Sequence, residues 1–243
     1  MAESPRQIPL DLPIAERRGR DDWIVTAANR AATELVERWP DWPGDVVLLV
    51  GPEGSGKSHL AAIFAERAAA TGIAAEDLGR IDPTGVAAGG AVVVEDLGPG
   101  VDERALFHLL NAVRQAGGRL LLTAATPPSA WGLALPDLAS RLRAATPARL
   151  AEPDDALLEA LLAKLFTDRQ TVVDPSVVGF VAQRMERSFS AARELVEALD
   201  REALAAKGPI TRAVAARVLG RGPSQEPQLP GLDENEGWEN TPS

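Results

Sequence analysis

Between residues 46 and 122 the chain alternates apolar runs with stretches of helical periodicity. Val46-Val47-Leu48-Leu49-Val50 is nearly continuous and largely β-branched, the pattern of a strand covered on both faces. Leu60, Ile63 and Phe64 follow at helical spacing, and Gly72 stands where it is expected to end that helix. Ala91-Val92-Val93-Val94 predicts a second strand, and Leu120-Leu121-Leu122 a third. Between them Leu106, Leu109, Leu110 and Val113 mark one helix face. Residues 73–90 are broken by Pro83 and several glycines, and no strand is assigned there. Such alternation predicts an α/β fold on a parallel sheet.

From about Pro153 the pattern changes. Leu157, Leu158, Leu161, Leu162 and Leu165 form a helical stripe. Val177, Val178 and Val181 follow, then Leu195, Val196 and Leu199, then Val214, Val218 and Leu219, with no strand between. The expected organisation is an α/β domain over 22–152 and a small all-α domain over 153–219. Residues 1–21, with Pro5, Pro9 and Pro13, read as a flexible arm. Residues 220–243, rich in Gly, Pro and acid, read as a disordered tail in which Trp238 is the one unexpected aromatic.

Charge narrows the partners. Lys and Arg number 25 against 35 Asp and Glu, a net charge of −10 over 243 residues. Phosphate-backbone binding requires neutralising cations, so autonomous DNA binding is not expected. Arg17, Arg18 and Arg20 sit among Glu16, Asp21 and Asp22, which nearly cancel them. There is no cysteine, and His59 and His108 are the only histidines, which excludes thiolate chemistry and argues against a histidine-rich metal site. No apolar run approaches the ~20 residues of a membrane span. A cytoplasmic chain with no membrane partner is the expectation.

Gly51-Pro52-Glu53-Gly54-Ser55-Gly56-Lys57-Ser58 fits G-x-x-x-x-G-K-[ST] between a strand and a helix. Successive backbone N–H groups of such a loop surround phosphate oxygens, and the following helix N-terminus favours the same anion. Lys57 is expected as a solvent-facing cation that reaches the β and γ phosphates, and the Ser58 hydroxyl as a Mg²⁺ ligand. Glu95 and Asp96 end the second strand, where ligands of parallel sheets gather. Glu95 is the candidate to hold Mg²⁺ through its water shell, and Asp96 to orient an attacking water. Taken alone, that pair reads equally as a solvated acidic loop. Arg141 and Arg193, taken alone, read as surface salt-bridge arginines.

These motifs together resemble the DnaA branch of the AAA+ ATPases, and within it the Hda-type regulators of bacterial replication initiation. The resemblance runs over about residues 6–219. It rests on GPEGSGKSHL, VVVED, Leu106-Phe107-His108-Leu109-Leu110-Asn111, Leu122-Thr123-Ala124-Ala125-Thr126-Pro127-Pro128, ASRL and SAAREL. It implies an AAA+ P-loop core with a helical lid. It also implies ADP or ATP with Mg²⁺ at Gly51, Gly54, Ser55, Gly56, Lys57, Ser58 and His59, with Ile24 and Val25 near adenine. Arg141 matches the arginine finger and Arg193 the sensor II arginine. The Glu95-Asp96 order departs from the family's usual Asp-first pair, and Ala125 stands where relatives commonly carry a polar sensor I residue.

Gln7-Ile8-Pro9-Leu10-Asp11-Leu12 resembles the peptide by which Hda-type proteins hold the β subunit sliding clamp of DNA polymerase. Gln7 would supply polar anchoring, and Ile8, Leu10 and Leu12 would fill an apolar pocket. The resemblance implies a negative regulator of replication initiation that stimulates ATP hydrolysis by DnaA, with DNA contacted indirectly through the clamp. Self-association stays open, as do two other readings: a self-contained P-loop ATPase or small-molecule kinase, and a helicase-loader-like remodeller.

Overall fold

Val46–Val50 form the interior strand β1, and their side chains divide between two cores. Val47 and Leu49 face one and Leu48 the other, as the twofold repeat of a strand requires. The computed structural model describes residues 19–206 and 208–220. The other strands are β2 (Thr71–Ala74), β3 (Ala91–Leu97), β4 (Arg119–Ala124) and β5 (Thr146–Arg149). All pairings are parallel, in the order β2-β3-β4-β1-β5.

The helices among the described residues are α1 (Arg30–Glu37), α2 (Lys57–Ala68), α3 (Pro83–Ala87), α4 (Glu103–Gln115), α5 (Pro136–Ala144), α6 (Asp155–Asp168), α7 (Pro175–Ala182), α8 (Phe189–Ala206) and α9 (Arg212–Gly220). Aspartate caps start several of them. Asp102 accepts from Ala105, Asp154 from Leu157 and Asp174 from Ser176, each satisfying an amide that the helix leaves open. On one face of the sheet Val47, Leu49, Val93 and Leu121 pack with α1, α2 and the α6–α9 bundle in one continuous core. On the other, Leu48, Val92, Val94, Leu120 and Leu122 pack with α3, α4 and α5.

Two edge elements escaped the apolar pattern. In β2 only Ile73 is buried, and in β5 only Ala148, so neither shows a run. Pro147 fits β5 because an edge strand leaves one row of amides unpaired. Gly72 does not end α2. That helix stops at Ala68, Ala69 takes the left-handed conformation with φ 48°, and Gly72 pairs with Val93 inside β2. Among the described residues no helix is long and apolar enough to cross a membrane. Gln7, Ile8, Leu10, Leu12 and Trp238 lie outside the described residues.

Candidate nucleotide-binding site

The loop from Gly51 to Gly56 joins β1 to α2, at the carboxyl edge of the sheet where Glu95 and Asp96 also emerge. Gly54 and Gly56 adopt φ of 70° and 93°, a region in which side-chain-bearing residues are strained. Gly56 caps α2 without any side-chain hydrogen bond, so the helix's first amides are left facing the loop. The Ser55 hydroxyl is buried with no hydrogen-bond partner among the described residues. An uncapped helix start and an orphaned hydroxyl beside a cation make a site chemically fitted to a phosphate anion.

Lys57 is not the solvent-facing cation expected from sequence. It is 8% exposed, and its Nζ donates to the carbonyls of Gly51 at 2.9 Å and Pro52 at 2.8 Å. The stem turns back into its own loop because those carbonyls are the acceptors within reach. Burial lowers its pKa from the ordinary lysine value, while the charges of Asp96 and Glu53 oppose that shift. Asp96 is therefore brought electrostatically to the phosphate loop. Its own geometry is unusual: φ is 62°, at a register shift between Val94 and Leu97. Its amide donates to the fully buried Thr123 Oγ1 at 3.0 Å. Thr123 belongs to the motif Leu122–Pro128, but its role as a hydrogen-bond partner of Asp96 is legible only as a lone hydroxyl near the end of an apolar strand. Glu95 lies half-buried in register with Ala74 of β2, and Ser58 is half-buried in the first turn of α2.

Over this loop sits a strap made of residues 19–26. The Trp23 ring is buried, stacked on Phe189 at 6.0 Å with an interplanar angle of 6°, and edge-on to His59 at 5.1 Å. Its indole N–H donates to Thr33 Oγ1 at 3.0 Å. His59 Nε2 lies 3.1 Å from the Gly19 carbonyl, so this ring braces the strap. Ile24 and Val25 are half-buried beside Trp23, and the Ile24 carbonyl accepts from Asn29 at 2.9 Å. Asp22 pairs with Lys164 of α6 at 2.8 Å.

The helical bundle reaches the same loop. A Cβ on Gly54 would lie 2.2 Å from Ser188 Cβ, and one on Gly56 would lie 2.9 Å from the Trp23 ring. Neither Ser188 nor Phe189 carries a motif that sequence reading recognises. Arg193 is half-buried one turn beyond Phe189, on the same face of α8.

Arg141 is elsewhere. With Asp45, Val46, Leu110, Val113, Arg114 and Ala144 it rims a shallow pocket at the amino end of β1. The phosphate loop leaves the other end of that strand, about 13–16 Å away. The structure thus gathers Lys57, Asp96, Trp23 and Phe189 around one loop and leaves Arg141 outside it.

A parallel sheet in this order, with a phosphate loop after β1 and acidic residues ending β3, defines an AAA+ P-loop fold. Proteins that share this fold include DnaA and Thermotoga maritima RuvB. The chain is 33% identical over 123 residues to the chromosomal replication initiator protein DnaA of Thermomicrobium roseum, an alignment taking in 48% of this chain and 25% of that protein. It thus spans about a quarter of the length of the curated relative it matches. Domain III of Thermotoga maritima DnaA superposes with a TM-score of 0.73 at 16% identity, covering 86% of this chain and 98% of that one. AMPPCP-bound DnaA from Aquifex aeolicus superposes at 0.65 with 15% identity, covering 74% and 64%. No family model matches the chain.

Proposed function

We propose that this protein is a cytoplasmic, nucleotide-bound AAA+ regulator of replication initiation that acts on DnaA. Gly51–Ser58 hold ADP or ATP, with Ile24 and Val25 on the adenine side and Arg193 facing the phosphates from a lid formed by 153–219. Ser58 and Glu95 would hold Mg²⁺, which neutralises phosphate charge. The arm, through Gln7, Ile8, Leu10 and Leu12, ties the chain to the sliding clamp, and through it to DNA. The likeness to DnaA and the AMPPCP carried by one structural relative support this reading.

The observation that carries it is the separation of Arg141 from the chain's own phosphate loop by the length of β1. A guanidinium there is out of reach of its own nucleotide and suited to the ATP of another AAA+ chain. Supplied in trans, such a group accelerates phosphoryl transfer by about 10³–10⁵. Single-turnover hydrolysis of labelled ATP on DnaA, with clamp-loaded DNA, is the test. Arg141→Ala is expected to lose most of the stimulation while still folding and binding ADP. Arg141→Lys should do little better, because a point charge does not reproduce the planar fork. Full stimulation by Arg141→Ala would overturn the reading.

A second reading, a self-contained P-loop ATPase, draws on the place of Asp96 near the carboxyl end of β3, with its amide bonded to Thr123 Oγ1. Turnover by the chain alone, abolished by Asp96→Asn, distinguishes it.

A further inference from the structure

We infer that α4 presents Arg141 to its target, with Phe107 as the positioning residue that holds the guanidinium; this rests on Arg141 acting on a partner's nucleotide. The Arg141 guanidinium carbon lies 5.1 Å from the centre of the Phe107 ring, within cation–π range. Among the described residues the guanidinium makes no hydrogen bond or ion pair. Other arginines of the chain are tied: Arg119 to Asp45, Arg169 to Glu197, Arg187 to Asp155. A cation held through an aromatic ring keeps its N–H donors available for an incoming anion, whereas a carboxylate partner would occupy them.

The same helix fixes the helix that carries Arg141. Glu103 lies one turn before Phe107 on α4, on the same face. Its two carboxylate oxygens accept from the amides of Ala134 at 2.8 Å and Leu135 at 2.7 Å. Leu135 caps α5 and its side chain satisfies no amide, so Glu103 supplies the acceptor that the helix start lacks. Glu103 thus pins the beginning of α5, and Phe107 holds the guanidinium six residues on. Arg is otherwise a flexible side chain, and restricting it beforehand favours the transition state. Phe107 is half-buried, so the ring is accessible from the surface on which Arg141 stands.

The single-turnover assay above tests this with Phe107→Leu, Phe107→Trp and Arg141→Ala, each alone, and with Phe107→Leu and Arg141→Ala combined. Phe107→Leu keeps an apolar side chain and removes the ring. It should lower the maximal stimulated rate about fivefold, with the half-saturating concentration of the protein unchanged. Phe107→Trp should restore the rate, since indole is the best platform for a cation. Phe107→Leu should add nothing in the Arg141→Ala background. ADP affinity should be that of the parent throughout, because the phosphate loop lies at the other end of β1. If Phe107→Leu impairs folding, the comparison of Phe107→Trp with Phe107→Met replaces it, and equal rates for those two overturn the proposal. Loss with Arg141→Ala but parental rates with Phe107→Leu also overturn it and leave the trans-acting arginine standing. Full stimulation by Arg141→Ala instead removes the reading beneath both.

Discussion

The amide of Phe189 donates to the carbonyl of Gly54 at 3.1 Å, so the first residue of α8 rests on the phosphate loop itself. Residues 135 positions apart in the chain thereby share one backbone hydrogen bond. Ser188 fills the space where a Gly54 side chain would stand, and the Trp23–Phe189 stack closes the approach over Gly56. Loop, strap and bundle thus pack against one another around Gly54 and Gly56.

Gly54→Ala should therefore act on the loop and the bundle together. The left-handed backbone alone costs an alanine roughly 1–2 kcal/mol, and the contact with Ser188 adds to it. The variant is expected to unfold at lower temperature and to lose ADP binding. Gly90→Ala, also left-handed but with open space around it, should show only the backbone penalty and keep parental ADP affinity. Thermal unfolding with and without ADP measures both.

Lys57 makes a different prediction. Its burial disfavours the charged form, so the unfolded chain binds the proton more readily than the folded one. Stability without nucleotide should rise with pH between the lowered folded value and the ordinary 10.5. Lys57→Met, which keeps the unbranched stem without the charge, should unfold at or above the parent's temperature and remove this slope. It should also lose the nucleotide response. ADP at a hundredfold over its Kd stabilises the parent by about 2.7 kcal/mol, roughly 5–10 °C in Tm for a chain of this size. A parental ADP shift in Lys57→Met would refute the phosphate-loop role.

The strap is anchored at Lys164. Hydrogen bonding to Asp22, then to Asp168, raises the Lys164 pKa above its ordinary value of 10.5. A raised base contributes stability that is fully present below 10.5 and lost as pH climbs through the folded value. Urea unfolding of Lys164→Met should show less stability than the parent at pH 9, with the gap closing as the pH is taken well above 10.5. A constant gap would assign the effect to packing of the stem.

The clamp contact is predicted to reside in the arm. Deleting residues 1–12, or replacing Gln7 and Leu10 with alanine, should abolish co-elution with purified sliding clamp. ADP binding should persist, since Gly51–Ser58 are untouched. Co-elution of the truncated chain would move the contact to the folded part.

What the sequence determined by itself is what local pattern and spacing encode. The run Val46–Val50, the glycines and Lys57 after it, the acids ending β3 and the leucine stripe of α6 are each legible within a dozen residues. Their periodicity reflects which face each element must bury, and their spacing reflects the shape of a phosphate. Tertiary structure alone decided the rest. Trp23, Gly54, Gly56, Ser188 and Phe189 come from three distant stretches, and no local pattern links them. Lys57 is buried with its Nζ turned back onto the Gly51 and Pro52 carbonyls, a placement that its own segment does not announce. The edge strands β2 and β5 exist because β3 and β1 offer open hydrogen-bonding edges, not because their own residues demand a strand. Arg141 reads as a surface arginine until α5 is laid along α4. Only that packing carries it to the amino end of β1 and sets Phe107 beside it.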